Sequence, residues 1–236
     1  MGAIGENLQA VRARIAAAAQ AAGRDSSSIG LLAVSKTFGA EAVVAASAAG
    51  QRAFGESYVQ EAIDKIAQVG DPGIEWHFIG PLQSNKTRPV AEHFDWVHSV
   101  SSLKIARRLS EQRPPSRGAL SVCLQVNVSG ESTKAGVSEA ELPDLAAAVA
   151  TLPGLRLRGL MAIPAPAEGF DAQRLPFARL ARMRDRLVAT GLSLDTLSMG
   201  MSDDLEAAVA EGATWVRVGT AIFGARPSAT IGTIGA

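Results

Sequence analysis

Leu31-Leu32-Ala33-Val34-Ser35-Lys36 is the stretch that decides how this chain of 236 residues folds. Its apolar residues run on without the alternation of a half-exposed strand. The run therefore reads as a strand buried on both faces, as in a parallel sheet with helices packed outside it. Before it, Ile4, Leu8, Val11, Ile15 and Ala19 recur at intervals of three and four, one face of an amphipathic helix ending near Gly23. After it, similar runs occur at 53 to 57, 74 to 80, 96 to 101, 121 to 129, 156 to 163, 196 to 201 and 215 to 223, which makes eight strands. Helical patterns lie between them, clearest in Val59, Ile63 and Ile66 and in Leu142, Leu145, Val149 and Leu152. This alternation predicts an α/β fold, a single (β/α)8 TIM-type barrel with an extra N-terminal helix; an open doubly wound sheet is the alternative.

A hydrophobic content of 47% supplies a large core, and one domain over residues 1–236 is expected, ordered from about 4 to 226. The loops at 113–116 and 164–169 read as connections within the barrel, because strand and helix resume after each. Past Pro227 the tail is small and polar, and mobility is expected there. Lys plus Arg and Asp plus Glu number 23 each, a balance that argues against nucleic acid or membrane as partner. No apolar run reaches the ~20 residues of a membrane-spanning helix. Cys123 is the single cysteine and no secretory pattern opens the chain, so a cytoplasmic location is expected; the oligomeric state leaves no mark in the sequence, and a monomer is the default expectation. Three histidines and one cysteine show no paired ligand spacing, and no metal is predicted.

In such a barrel the site lies at the C-terminal ends of the strands. Lys36, one of only five lysines beside eighteen arginines, closes the first apolar run. An amine next to a low-dielectric core loses part of its preference for the charged form and becomes able to attack an aldehyde. Snorkelling, or pairing with Glu56, is the competing reading of Lys36. Ser198-Met199-Gly200-Met201-Ser202-Asp203-Asp204 and Arg217-Val218-Gly219-Thr220-Ala221-Ile222-Phe223-Gly224 follow strands seven and eight, where this fold commonly cradles phosphate. Tight turns at Gly219 and Gly224, with Ser202 and Asp203 capping the next helix, would explain the same residues without a ligand. A lysine and a phosphate cradle together suggest an aldehyde-bearing phosphate, of which pyridoxal 5'-phosphate is the common example. An arginine such as Arg217 near a pyridine nitrogen only donates, which leaves that nitrogen a weak electron sink.

Ala33 to Thr37, Trp76-His77-Phe78-Ile79-Gly80-Pro81-Leu82-Gln83-Ser84-Asn85-Lys86, Ser198 to Asp204 and Val218 to Gly224 together resemble the pyridoxal phosphate homeostasis protein family over about residues 4 to 226. The resemblance implies the barrel of the alanine racemase N-terminal domain, a Schiff base on Lys36, and storage or delivery of vitamin B6 cofactor without turnover. By position it implies that Ser202, Gly219 and Thr220 hold the phosphate, that Arg217 faces the pyridine nitrogen, and that Met161 and Asn127 line the mouth. The family's Gly-Glu-Asn-Tyr is here Gly55-Glu56-Ser57-Tyr58, which removes an amide from that corner.

Lys134, in the loop after strand five, is a candidate for secondary capture or transfer of cofactor to acceptor apoenzymes. His77 reads as a packed core histidine, with His93 and His98 of less interest. Arg179, Arg182 and Arg186 read as a solvated helix face. A pyridoxal phosphate-dependent amino-acid racemase is the alternative function, and a Schiff-base aldolase a third. Racemases of related fold use a tyrosine from a second domain; Tyr58, the only tyrosine here, would need its loop to fold over the cofactor.

Overall fold

A computed structural model describes residues 2–130 and 135–225. Its strands are β1 (Gly30–Val34), β2 (Ala53–Glu56), β3 (Glu75–Phe78), β4 (Trp96–Val100), β5 (Leu120–Gln125), β6 (Leu155–Met161), β7 (Thr196–Ser198) and β8 (Trp215–Val218). Each pairs in parallel with the next, and β8 returns to β1 with Gly30 opposite Trp215 and Ala33 opposite Val218. The barrel is therefore closed, and the open sheet is excluded.

Helices alternate with the strands: α1 (Ala3–Ala21), α2 (Ala40–Ala48), α3 (Val59–Val69), α4 (Thr87–His93), α5 (Leu103–Gln112), α6 (Leu142–Ala150), α7 (Phe170–Ala189), α8 (Leu205–Ala210) and α9 (Thr220–Phe223). The amphipathic face expected at the N-terminus is the one α1 buries, through Leu8, Val11, Ile15 and Ala19, against α8 and α9.

Every expected run coincides with a strand, but each strand stops earlier than its run does. Residues 220–223, expected to extend strand eight, form α9 instead. Apolar residues beyond the strand ends, such as Val128 and Ile222, are buried outside the strands of the barrel. Hydrophobicity marks burial and not hydrogen-bond pattern, so it cannot locate a strand's last residue.

The apolar core lies between strands and helices, around fully buried Phe54, Phe78, Phe94 and Phe177. Inside the barrel the filling is different. Glu75 and His77 on β3, Trp96 and His98 on β4, and Trp215 and Arg217 on β8 stand two residues apart and meet one another there. Most barrels of this type fill that space with branched aliphatic residues.

Gly159 lets β6 and β7 close together: a Cβ there would lie 1.8 Å from the Thr196 carbonyl oxygen, an atom of fixed backbone. Gly159→Ala should lower unfolding free energy by about 3 kcal/mol or prevent folding, since neither strand can retreat without opening the barrel. Chemical denaturation followed by circular dichroism reads the effect.

Candidate functional site

Lys36 stands two residues past β1, half-buried, and the backbone around it is held from three sides. The Ser35 N–H donates to the Gly55 carbonyl at 3.0 Å, and Ser35 Oγ donates to Glu56 Oε1 at 2.6 Å. Lys65 reaches in from α3 and donates through Nζ to the Ser35 carbonyl (2.8 Å), Glu56 Oε1 (2.6 Å) and Glu61 Oε1 (3.1 Å). Thr37 adopts a left-handed φ of 69° while its N–H donates to Glu61 Oε1 at 2.6 Å. That conformation costs about 1 kcal/mol for a residue with a Cβ, and the Glu61 bond offsets it.

Glu56, the carboxylate that the sequence offered as a possible partner for Lys36, is engaged by Lys65 and Ser35. Burial pushes the Glu56 carboxyl above its usual range, and the neighbouring Lys65 cation opposes that rise. Lys65 itself is only 4% exposed, a burial that needs a partner.

Two loops face this corner. After β7, Gly200 turns at φ 93°, where a Cβ would strike that of Ala208. Asp204 then folds the loop by accepting the Met201 N–H through Oδ1 at 2.6 Å. Among the described residues neither Ser202 nor Asp203 makes the side-chain cap expected of it, because Asp204 already occupies the N-cap and spends its oxygen backwards. After β8, Gly219 turns the chain into α9 and packs on the strand carrying Lys36, with a Cβ there 3.1 Å from the Val34 carbonyl oxygen. Thr220 and Ala221 occupy the first turn of α9, where no intrahelical carbonyl reaches their N–H groups. Both loops are pinned from outside by α1: Arg14 donates to the Ser202 carbonyl at 2.7 Å and pairs with Glu206, and Asn7 donates to the Ile222 carbonyl at 2.9 Å. Phe38 and Phe223, 5.2 Å apart between ring centres, join the Lys36 loop to α9.

Below them Arg217 is 4% exposed. Its Nη1 donates to Ser198 Oγ at 2.7 Å and its Nη2 to the Ala162 carbonyl at 2.9 Å. Burial pulls its pKa down to about 10, so it remains cationic at neutral pH. Ser198 Oγ lies 2.7 Å from His98 Nδ1, and His98 Nε2 lies 2.9 Å from His77 Nδ1. His77 Nε2 ends 3.2 Å from Glu75 Oε2, close enough for attraction although the N–H is not well aligned for a hydrogen bond.

Lys36, Ser202, Arg217, Gly219 and Thr220 therefore gather at the C-terminal end of the barrel. Met161 ends β6 but is fully buried with Trp96 and Cys123, so it forms floor and not rim. Asn127 follows β5 and accepts the Gly130 N–H through Oδ1 at 3.0 Å. Lys134 and the tail lie outside the described residues. Among the described residues no three potential metal ligands cluster, and no helix is long and apolar enough to cross a membrane. Arg179 and Arg186 both pair with Glu139, so the expected solvated face is in part an ion-pair network.

Sequence reasoning missed Lys65, Arg14 and the chain through His98 and Ser198. The spacing of Glu75 with His77, Trp96 with His98, and Trp215 with Arg217 was the available signal, since alternate residues of a strand share a face.

Lys65→Met leaves Glu56 buried without its cation and should cost about 3–5 kcal/mol in denaturant unfolding, most of it recovered by adding Glu56→Gln. Burial lowers the pKa of His77 and lowers that of His98 well below 6.5. Below about pH 6.5 the unfolded chain takes up protons that the folded histidines refuse, so stability must fall as pH falls through that value. The denaturation midpoint at about pH 5.5 should lie below that at about pH 7.5, and His98→Asn should reduce the difference.

Residues 7–227 match the family described as alanine racemase, N-terminal domain. The pyridoxal phosphate homeostasis protein of Pseudomonas aeruginosa is 64% identical over 226 residues, covering 96% of this chain and 97% of that one. Its Escherichia coli counterpart is 56% identical over 229 residues, at 96% and 98% coverage. PipY of Synechococcus elongatus, solved with pyridoxal phosphate bound, is 40% identical with a TM-score of 0.81, covering 94% of this chain and all (100%) of that one. Alanine racemase of Corynebacterium glutamicum, 20% identical, shares the fold alone, with a TM-score of 0.70 over 97% of this chain and 63% of its own. By the geometry of its barrel mouth and by these likenesses, the chain belongs to the pyridoxal phosphate homeostasis protein family.

Proposed function

We propose that this chain binds pyridoxal 5'-phosphate covalently through Lys36 and stores or delivers it, with no turnover of its own. The observation that carries the reading is the buried guanidinium of Arg217, cationic and rich in donors, at the barrel end that also presents Lys36. Such a pair suits a ligand with a carbonyl at one point and an aromatic acceptor nitrogen at another. When bound, the cofactor supplies an aldehyde that condenses with a primary amine and releases water.

The chain's own residues have separate tasks. Lys36 Nζ is the nucleophile, and the Lys65–Glu56–Ser35 cluster fixes the backbone it hangs from. Ser202 and Thr220 offer hydroxyls and Gly219 and Thr220 offer amides to the phosphate, in loops held by α1. Arg217 donates toward the ring nitrogen; a group that cannot return a proton leaves that nitrogen unprotonated and weakens carbanion chemistry, which favours a carrier over a racemase. Met161 supplies floor, Asn127 the rim, and Lys134 a secondary point of capture or transfer. Tyr58, the acid a racemase would need, is 56% exposed at the start of α3.

The reading extends to a single working domain, acting as a cytoplasmic monomer whose partners are acceptor apoenzymes. Borohydride reduction of the protein incubated with cofactor, followed by peptide mapping, should add the cofactor's mass to the peptide containing Lys36. Lys36→Ala should lose both that adduct and the visible absorbance band. A wild type that shows no band with excess cofactor would return Lys36 to a structural role.

A further inference from the structure

The chain of contacts from Arg217 to Glu75 has only one consistent arrangement of protons. Arg217 has no acceptor, so Ser198 Oγ receives its N–H. At the other end the Glu75 carboxylate faces His77 Nε2 at 3.2 Å, and a bare ring nitrogen there would set a lone pair against an anion. His77 Nε2 therefore carries its proton, and a neutral His77 accepts at Nδ1. The 2.9 Å contact to His98 needs one donor, so His98 carries its proton on Nε2 and accepts at Nδ1. The Ser198 hydroxyl supplies that last hydrogen across 2.7 Å. All four contacts then point from cation to anion.

Packing keeps this order in place. His77 is stacked on Trp96 with ring centres 5.4 Å apart and meets Trp215 at 5.0 Å. Glu75 is fixed in turn by the Trp96 Nε1–H, which donates to Oε1 at 2.6 Å. His77, His98 and Ser198 are wholly buried, whereas the Glu75 side chain is 44% exposed, so the foot of the barrel is the end of the chain open to water.

Resting on the proposed function, we propose that Ser198, His98 and His77 are positioning residues for Arg217, held in one proton order by Glu75, so that the guanidinium is presented to the cofactor ring in a single orientation. Such side chains have no use in a barrel whose only need is to be filled. Aliphatic residues would fill it without any demand for matched donors.

Two readouts test the relay, one of them free of cofactor. In the apoprotein, nitrogen-15 NMR should find His77 and His98 neutral with the proton on Nε2. Ser198→Ala should leave the His98 proton on Nε2, where His77 requires it, and shift the Nδ1 signal that loses its hydroxyl donor, whereas Glu75→Gln should alter the His77 and His98 signals together. With cofactor, Ser198→Ala should raise Kd about tenfold, the value of one hydrogen bond to a charged group, and move the visible absorbance maximum, while Ser198→Thr restores both. An Nδ1 proton on His98, or a Ser198→Ala protein with wild-type spectrum and affinity, would overturn the relay while leaving cofactor binding intact. A wild type that takes up no cofactor overturns the proposed function and, with it, the relay's role toward the ring.

Discussion

A positive charge sealed inside a closed sheet constrains everything around it in this molecule. Arg217 sits on an inward position of β8, and even after relaxation a buried ion costs several kcal/mol unless its donors are met. Among the described residues no carboxylate bonds to it, and Asp204 acts on it only through space. Its bonds go to a serine hydroxyl and to a carbonyl just past β6, both neutral, and the chain of contacts that starts at the serine ends on the negative charge of Glu75 at the other end of the lumen. A charge so placed rules out an aliphatic filling. The histidines on β3 and β4 and the tryptophans beside them follow from that requirement, and so does the polarity of the whole axis.

Lys36 is governed by the same economy at shorter range. Lys36, the proposed nucleophile, is half-buried, and Lys65, which bonds to the backbone beside it, is almost fully buried. Lys65 occupies Glu56, the carboxylate that the sequence offered as a partner for Lys36. The clamp thus does two things at once: it fixes the strand end in space, and it keeps a carboxylate engaged elsewhere.

Much of this was legible in the chain itself, and the parts that were not failed for definite reasons. Eight apolar runs announced eight strands because parallel strands covered by helices are buried on both faces. The same runs overstated β7 and β8, since Met199 and Ile222 are buried in loop and helix as deeply as they would be in a strand. Lys36, Ser202, Gly219 and Thr220 could be assigned to one end of the barrel because each follows a strand that the sequence announced. Lys65 could not, for its helix pattern marks it as one charge among several and only the fold reveals that it turns inward. His98 was passed over because its partner Ser198 is 100 residues away in the chain. Likeness to enzymes such as alanine racemase fixes the scaffold and leaves the function to be argued from the site.

The helix that precedes the barrel has a practical bearing that its place in the sequence conceals. Through Asn7 and Arg14, α1 grips the two loops that follow β7 and β8, more than 180 residues further on. An affinity tag, fusion partner or proteolytic nick at the amino terminus acts on the same mechanical linkage as a change in those loops. Recombinant forms of this protein that differ only in how their first dozen or so residues are treated differ in what holds those two loops.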